Sequence, residues 1–162
     1  MNTVLETYNY HAWGNKMLLD RLKQLPSEVF HREIKSAFPS ISSVIAHVYT
    51  VDQLWSYIIS GMDMPEALDV EKASGEGKNI DEIDGMFHTL SEAYKETLAQ
   101  SANRHELRWL NIPWEGKRET SLYEMVLHVV THGTYHRGNV TAMLHQMGYT
   151  SITTDMTAYW FV

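Results

Sequence analysis

Apolar residues recur at three- and four-residue steps through four stretches of the chain, the spacing that places side chains on one face of an α-helix. In the first stretch the stripe is Leu5, Tyr8, Ala12, Leu19 and Leu22, and Pro26 closes it. Asn15 falls on that stripe and reads as a buried polar side chain bonded to a neighbour. The second opens at Pro39-Ser40, runs through Val44, Val48, Val51, Trp55 and Ile58, and ends at Gly61. The third carries Ile80, Ile83, Phe87, Leu90, Tyr94 and Leu98, with acidic residues opposite. The fourth begins with a capping box, Ser121-Leu122-Tyr123-Glu124, and stops at Gly148. At that length it would extend roughly 40 Å.

Four amphipathic helices with no strand-rich region predict an all-α protein, an antiparallel four-helix bundle formed as a single domain over 1–162. The connection between the second and third helices, 61–79, is long enough to cross the bundle, so a simple up-down-up-down order does not follow. Its Gly75-Glu76-Gly77-Lys78 run is too short for a phosphate loop and reads as flexible linker. Residues 105–119, with Pro113 and Gly116 between apolar patches, form a hairpin or an irregular loop. Tyr159, Trp160 and Phe161 in the tail are apolar enough to be expected on the bundle surface.

With 162 residues, the chain is long enough for one good core. Its net charge of −7 argues against nucleic acid as a partner. It contains no cysteine, which excludes disulfides, thiolate ligands and a thiol nucleophile of its own. The N-terminus lacks the basic start and apolar run of a signal peptide, and no stretch is apolar over a bilayer-spanning length. A cytoplasmic protein without membrane partners is expected.

The chemistry concentrates in histidine. His128, His132 and His136 stand at four-residue steps in the fourth helix. On an ideal helix His136 lies within about 10° of the stripe centre, His132 about 45° to one side and His128 about 85° off, while His145 points about 180° from His136. His47, beside Val44, Val48 and Val51, faces the core from the second helix. A single histidine on an apolar face is usually a satisfied core residue, and His47 alone would be read so. Two core-facing imidazoles one turn apart are harder to satisfy without a shared partner. His47, His132 and His136 are therefore the expected ligands of one divalent metal ion, with an open fourth position as in catalytic zinc sites. His128 reads as a flanking or surface residue, and His11, His31, His88, His105 and His145 as solvated ones.

The surrounding residues narrow the chemistry. Gly133, not Glu, follows His132, which excludes the zincin motif, and the Glu-x-x-His pairs of di-iron bundles are missing. No general base is written into the motif, so the metal would act as Lewis acid or by acidifying a bound ligand. Gly133 and Gly138 each weaken the helix by about 1 kcal/mol relative to Ala, and Gly133 sits where a ligand or backbone could approach. Arg137 turns from the stripe and suggests a salt bridge or dimer contact. Asp52 lies off the His47 side and reads as structural.

The chain also resembles the DinB family of DNA-damage-inducible proteins, whose superfamily includes bacillithiol transferases and mycothiol-dependent maleylpyruvate isomerases. The resemblance spans nearly the whole sequence. It rests on Tyr10-His11-Ala12-Trp13-Gly14-Asn15, on Ile45-Ala46-His47 followed by Trp55 and Gly61, and on the terminal Asp155 and Tyr159-Trp160. Its most specific part is the run from Leu127 through His128, His132 and His136 to Gly138. Asn139 departs from the Gln the family usually carries after Arg-Gly. The resemblance implies a four-helix bundle, often a homodimer, holding a divalent metal, zinc or nickel, on His47, His132 and His136.

By analogy with those transferases, the expected activity is metal-dependent transfer of a small-molecule thiol to an electrophile, in detoxification or stress response. The alternatives are a non-catalytic metal-binding bundle associated with stress, and a metal-hydroxide hydrolase, which the missing nearby carboxylate disfavours.

Overall fold

A computed structural model describes residues 3–70, 75–101 and 107–162. The four stripes form four long helices: α1 (Thr3–Lys23), α3 (Ile41–Ile59), α5 (Ile80–Gln100) and α6 (Leu122–Gln146). Short helices α2 (Glu28–His31), α4 (Met64–Val70) and α7 (Met156–Tyr159) fill the connections and tail. Their starts follow local chemistry. Ser40 accepts a hydrogen bond from the Ser43 amide at the head of α3, and Asn79 with Glu82 and Ser121 with Glu124 form complete capping boxes on α5 and α6.

The helices form a bundle in which α1 and α3 each pack against both α5 and α6. Contacts between side chains fix their directions. His47 meets His132 and Trp55 meets His128, so α3 and α6 are antiparallel. Lys23 pairs with Asp84 while Tyr8 stacks on Tyr94, so α1 and α5 are antiparallel too. Asn15 meets Arg137 and Arg21 meets Thr150, which makes α1 and α6 parallel. The parallel run of α3 and α5 explains the long 61–79 connection, which has to return the chain to the end where α3 began.

That connection is more ordered than a free linker. Met64 and Ala67 on α4 are buried, and Gly75 lies so close to α3 that a Cβ there would come 2.9 Å from the Ala46 Cα. Residues 71–74 lie outside the described part.

The 105–119 segment resolves into an antiparallel hairpin, β1 (Leu107–Ile112) and β2 (Gly116–Ser121), registered Leu107 to Ser121 and Ile112 to Gly116. Gly116 takes φ +105° at the turn, a left-handed backbone that side-chain-bearing residues resist. Leu110 is buried under the hairpin, and Arg108 donates to the Ile59 carbonyl at the end of α3.

The tail returns along α1. The Tyr10 hydroxyl donates to the Thr154 carbonyl at 2.9 Å, and Tyr159 packs on Tyr10 and Trp13. The expectation that Trp160 and Phe161 also pack is corrected: they are 68% and 90% exposed. Of α7, Tyr159 packs against the core, while Trp160 and Phe161 lie beyond the helix end. Among the described residues no helix is long and apolar enough to cross a membrane.

Candidate metal centre

His47 from α3 and His132 and His136 from α6 converge at mid-bundle. Each offers a ring nitrogen within 4.8 Å of those of the other two, so the three could hold a metal ion. The Nε2 atoms of His47 and His132 are 3.2 Å apart. Two nitrogens bound at 2.0–2.1 Å to a tetrahedral ion would be about 3.3 Å apart. The residues therefore fit a divalent ion without rearrangement of that pair.

Electrostatics keep the rings in the form that ligates. Burial lowers the pKa of His47, His132 and His136, and neighbouring imidazoles lower the last two further. His132, crowded by four other histidines, falls to about 3. Neutral imidazole presents a lone pair, whereas imidazolium cannot ligate.

The flanks of the site are aromatic. Phe38 packs on His47 and His136 at ring distances of 5.3 and 5.4 Å, and Tyr135 lies edge-on to His136. His128 is exposed, as expected for a flanking residue, and sits between Trp55 and His132. Asn139 stands one turn beyond His136, its amide nitrogen 3.3 Å from His136 Nδ1. The shorter amide thus still reaches a ring of the candidate trio.

Three readings need correction. His11 is not solvated: it is 1% exposed, and its Nε2 lies 2.7 Å from Asp52 Oδ2 on α3. The notch that admits it is Gly133, where an added Cβ would come 2.7 Å from His11 Nδ1 and overlap the ring. Gly133 therefore accommodates a side chain from α1 rather than a ligand or another backbone. Arg137 has no salt-bridge partner among the described residues, and it is not at the surface. It is 4% exposed and donates to Asn15 Oδ1 at 2.9 Å and to the Thr134 hydroxyl.

Asn15 is bonded to neighbours as expected, its amide nitrogen lying 3.0 Å from His11 Nε2. Because α6 is covered by both α1 and α3, its buried arc is wider than its apolar stripe. A signal for His11 was present in the sequence: it precedes Asn15 by four residues, on the same face of α1. His31, His88 and His145 are exposed, as expected, and His105 lies outside the described residues.

A helical bundle with three neutral imidazoles converging from two of its helices defines a protein built around a candidate metal site. The DinB family pattern matches residues 1–162. Protein DinB of Bacillus subtilis (strain 168) is 43% identical over 158 residues, covering 96% of this chain and 92% of that one. The chain belongs to the DinB family. Solved structures share the fold at lower identity. A DinB-like protein from Bacillus cereus ATCC 10987 superposes with a TM-score of 0.70 at 18% identity, covering 93% of this chain and 94% of that one. Another from Bacillus subtilis gives 0.69 at 13%, covering 93% and 96%.

Proposed function

We propose that the protein is a metal-dependent thiol S-transferase that joins a small-molecule thiol to an electrophile. The observation that carries this reading is the 3.2 Å approach of His47 Nε2 to His132 Nε2, with His136 beside them. His47, His132 and His136 would hold one divalent ion, zinc or nickel by their all-nitrogen character. When bound, the metal would supply acidity, since a coordinated thiol is deprotonated near neutral pH and thiolate is the nucleophilic form.

The chain has no cysteine, so the sulfur has to arrive on a separate molecule. The protein's own groups orient and shield. Phe38 and Tyr135 cover His136, and burial keeps the ligand imidazoles neutral. In the transfer itself, a sulfur lone pair forms the new C–S bond. The electron pair of the broken carbon–halogen or carbon–oxygen bond leaves with the halide or oxygen, and an alkoxide so formed takes a proton from water.

The test is elemental analysis of the purified protein followed by thiol consumption against a panel of electrophiles. About one divalent ion per chain with thiol turnover is expected, and His132→Ala should abolish both. Full turnover in a metal-free variant would reject the reading. A homodimeric, cytoplasmic protein of stress response or detoxification fits such an activity, and belongs to the same proposal.

A further inference from the structure

A cleft of about 460 Å³ runs from the hairpin to the candidate metal centre, between α3 and α6. Its size is that of a small-molecule site, for which about 300–1,000 Å³ is usual. Trp55, Leu110, Ile112, Trp114 and Met125 line it, and His128 and His132 stand along it as well. The other side of the trio is occupied by Phe38, packed on His47 and His136. A molecule lying in this cleft would therefore reach the trio at His132.

We propose that this cleft seats the electrophile, and that it selects an uncharged, flat aromatic ring. Flatness follows from the rings along its length. Trp55 lies 4.7 Å from His128, and His128 lies nearly parallel to His132, at 20° and 6.1 Å. Trp114 adds a further ring near the hairpin turn. Offset-stacked and edge-on contacts with such rings favour an aromatic guest over an aliphatic one of equal size. Neutrality follows from the rim. Arg118 is already paired with Glu124 at 3.0 Å, and Glu115, which also lines the cleft, adds negative charge. An anionic guest meets repulsion there, and a cationic one would lose hydration to apolar walls.

The assignment deepens the transferase reading, but binding tests it independently of turnover. The probe is N-phenyl-1-naphthylamine, uncharged and fluorescent in apolar surroundings. Its sulfonated analogue, 8-anilinonaphthalene-1-sulfonate, has the same rings and a negative charge. Saturable binding of the neutral probe is expected, with the sulfonate at least tenfold weaker. Trp114→Ala should weaken the neutral probe roughly threefold to tenfold, the range of one aromatic pair. Trp109→Ala, on the same hairpin but outside this cleft, should leave it unchanged. Equal binding of the two dyes, no binding of the neutral one, or indifference to Trp114→Ala would overturn the assignment.

A kinetic arm uses 1-chloro-2,4-dinitrobenzene with free cysteine, a reaction that forms a ring C–S bond and releases chloride. Trp114→Ala should raise KM for this acceptor and spare kcat, while leaving iodoacetamide kinetics alone. A raised KM for both acceptors would count against aromatic selection. Absence of turnover with Trp114-dependent dye binding intact would sink the transferase reading and leave the cleft as a site for uncharged aromatic ligands.

Discussion

His11 on α1 and Asp52 on α3 meet beneath the candidate metal site, Nε2 to Oδ2 at 2.7 Å, with both side chains at most 2% exposed. Around them the Tyr94 hydroxyl donates to the Asp52 carbonyl at 2.6 Å, and Asn15 links His11 to Arg137. The chain of contacts joins all four long helices just behind the turn that carries His132. It orients α6 rather than touching a substrate.

Removing one member of this pair strands the other in the core. His11→Ala and Asp52→Ala should each destabilise the protein by about 1–3 kcal/mol, the cost of leaving a buried hydrogen-bonding group without its partner. Urea unfolding followed by circular dichroism measures this. Loss of less than about 1 kcal/mol in both would show that the contact contributes little net stability.

The two glycines of α6 should respond oppositely to alanine. At Gly133 the new methyl collides with the His11 ring, and overpacking of this kind costs about 1–3 kcal/mol. At Gly138 a Cβ meets nothing within 4 Å, so Gly138→Ala should stabilise by up to about 1 kcal/mol. Melting temperatures of the pair should move in opposite directions.

Asn139 lies close enough to His136 to fix its ring: with the amide turned so that Oδ1 accepts from Nδ1–H, it would be the kind of partner that typically supports metal affinity by about 10- to 100-fold. Asn139→Ala should weaken zinc retention by about tenfold at the low end of that range. Competition with a colorimetric chelator reads the change. Asn139→Gln, which keeps the amide on a longer arm, should keep most of the affinity.

Acid should destabilise the metal-free protein. Unfolded imidazoles take up protons near pH 6.5, whereas folded His132 stays neutral down to about 3, and His47 and His136 are shifted the same way. The unfolded state therefore binds more protons across that window. Their contribution is fully present above about pH 6.5 and is lost as pH falls toward 3. Urea midpoints at pH 7.5, 6.5, 5.5 and 4.5 should fall accordingly, and His132→Ala should flatten the decline.

The tail separates packed from unpacked aromatics. Tyr159 packs at a tilt 5.5 Å from Trp13 and 5.8 Å from Tyr10. Tyr159→Ala should destabilise by about 1–3 kcal/mol, two aromatic pairs of about 0.5–1.5 each. Trp160→Ala, at 68% exposure, should stay within about 0.5 kcal/mol of the parent.

Helical period was enough to bring His47, His132 and His136 together, because residues on apolar stripes have to face one core. Ser121-Leu122-Tyr123-Glu124 marked the start of α6 for an equally local reason, its reciprocal capping bonds. The partners of His11 and Arg137 were illegible for the opposite reason, although the four-residue step from His11 to Asn15 already placed the imidazole on the buried face of α1. Each of the two is a polar residue buried by a helix that periodicity cannot identify as its neighbour: α3 for His11, and α1 for Arg137. The tertiary course of the 61–79 connection was hidden likewise, since its burial depends on Ala46, far off in sequence.

His47 and His132 are 85 positions apart along the chain, yet their rings touch. An ion gripped by both would work as a removable crosslink across a very large loop, and α3 could not part from α6 without surrendering it. Resistance to proteolysis and to unfolding would then rise and fall with metal supply, making the protein's lifetime itself a gauge of loading.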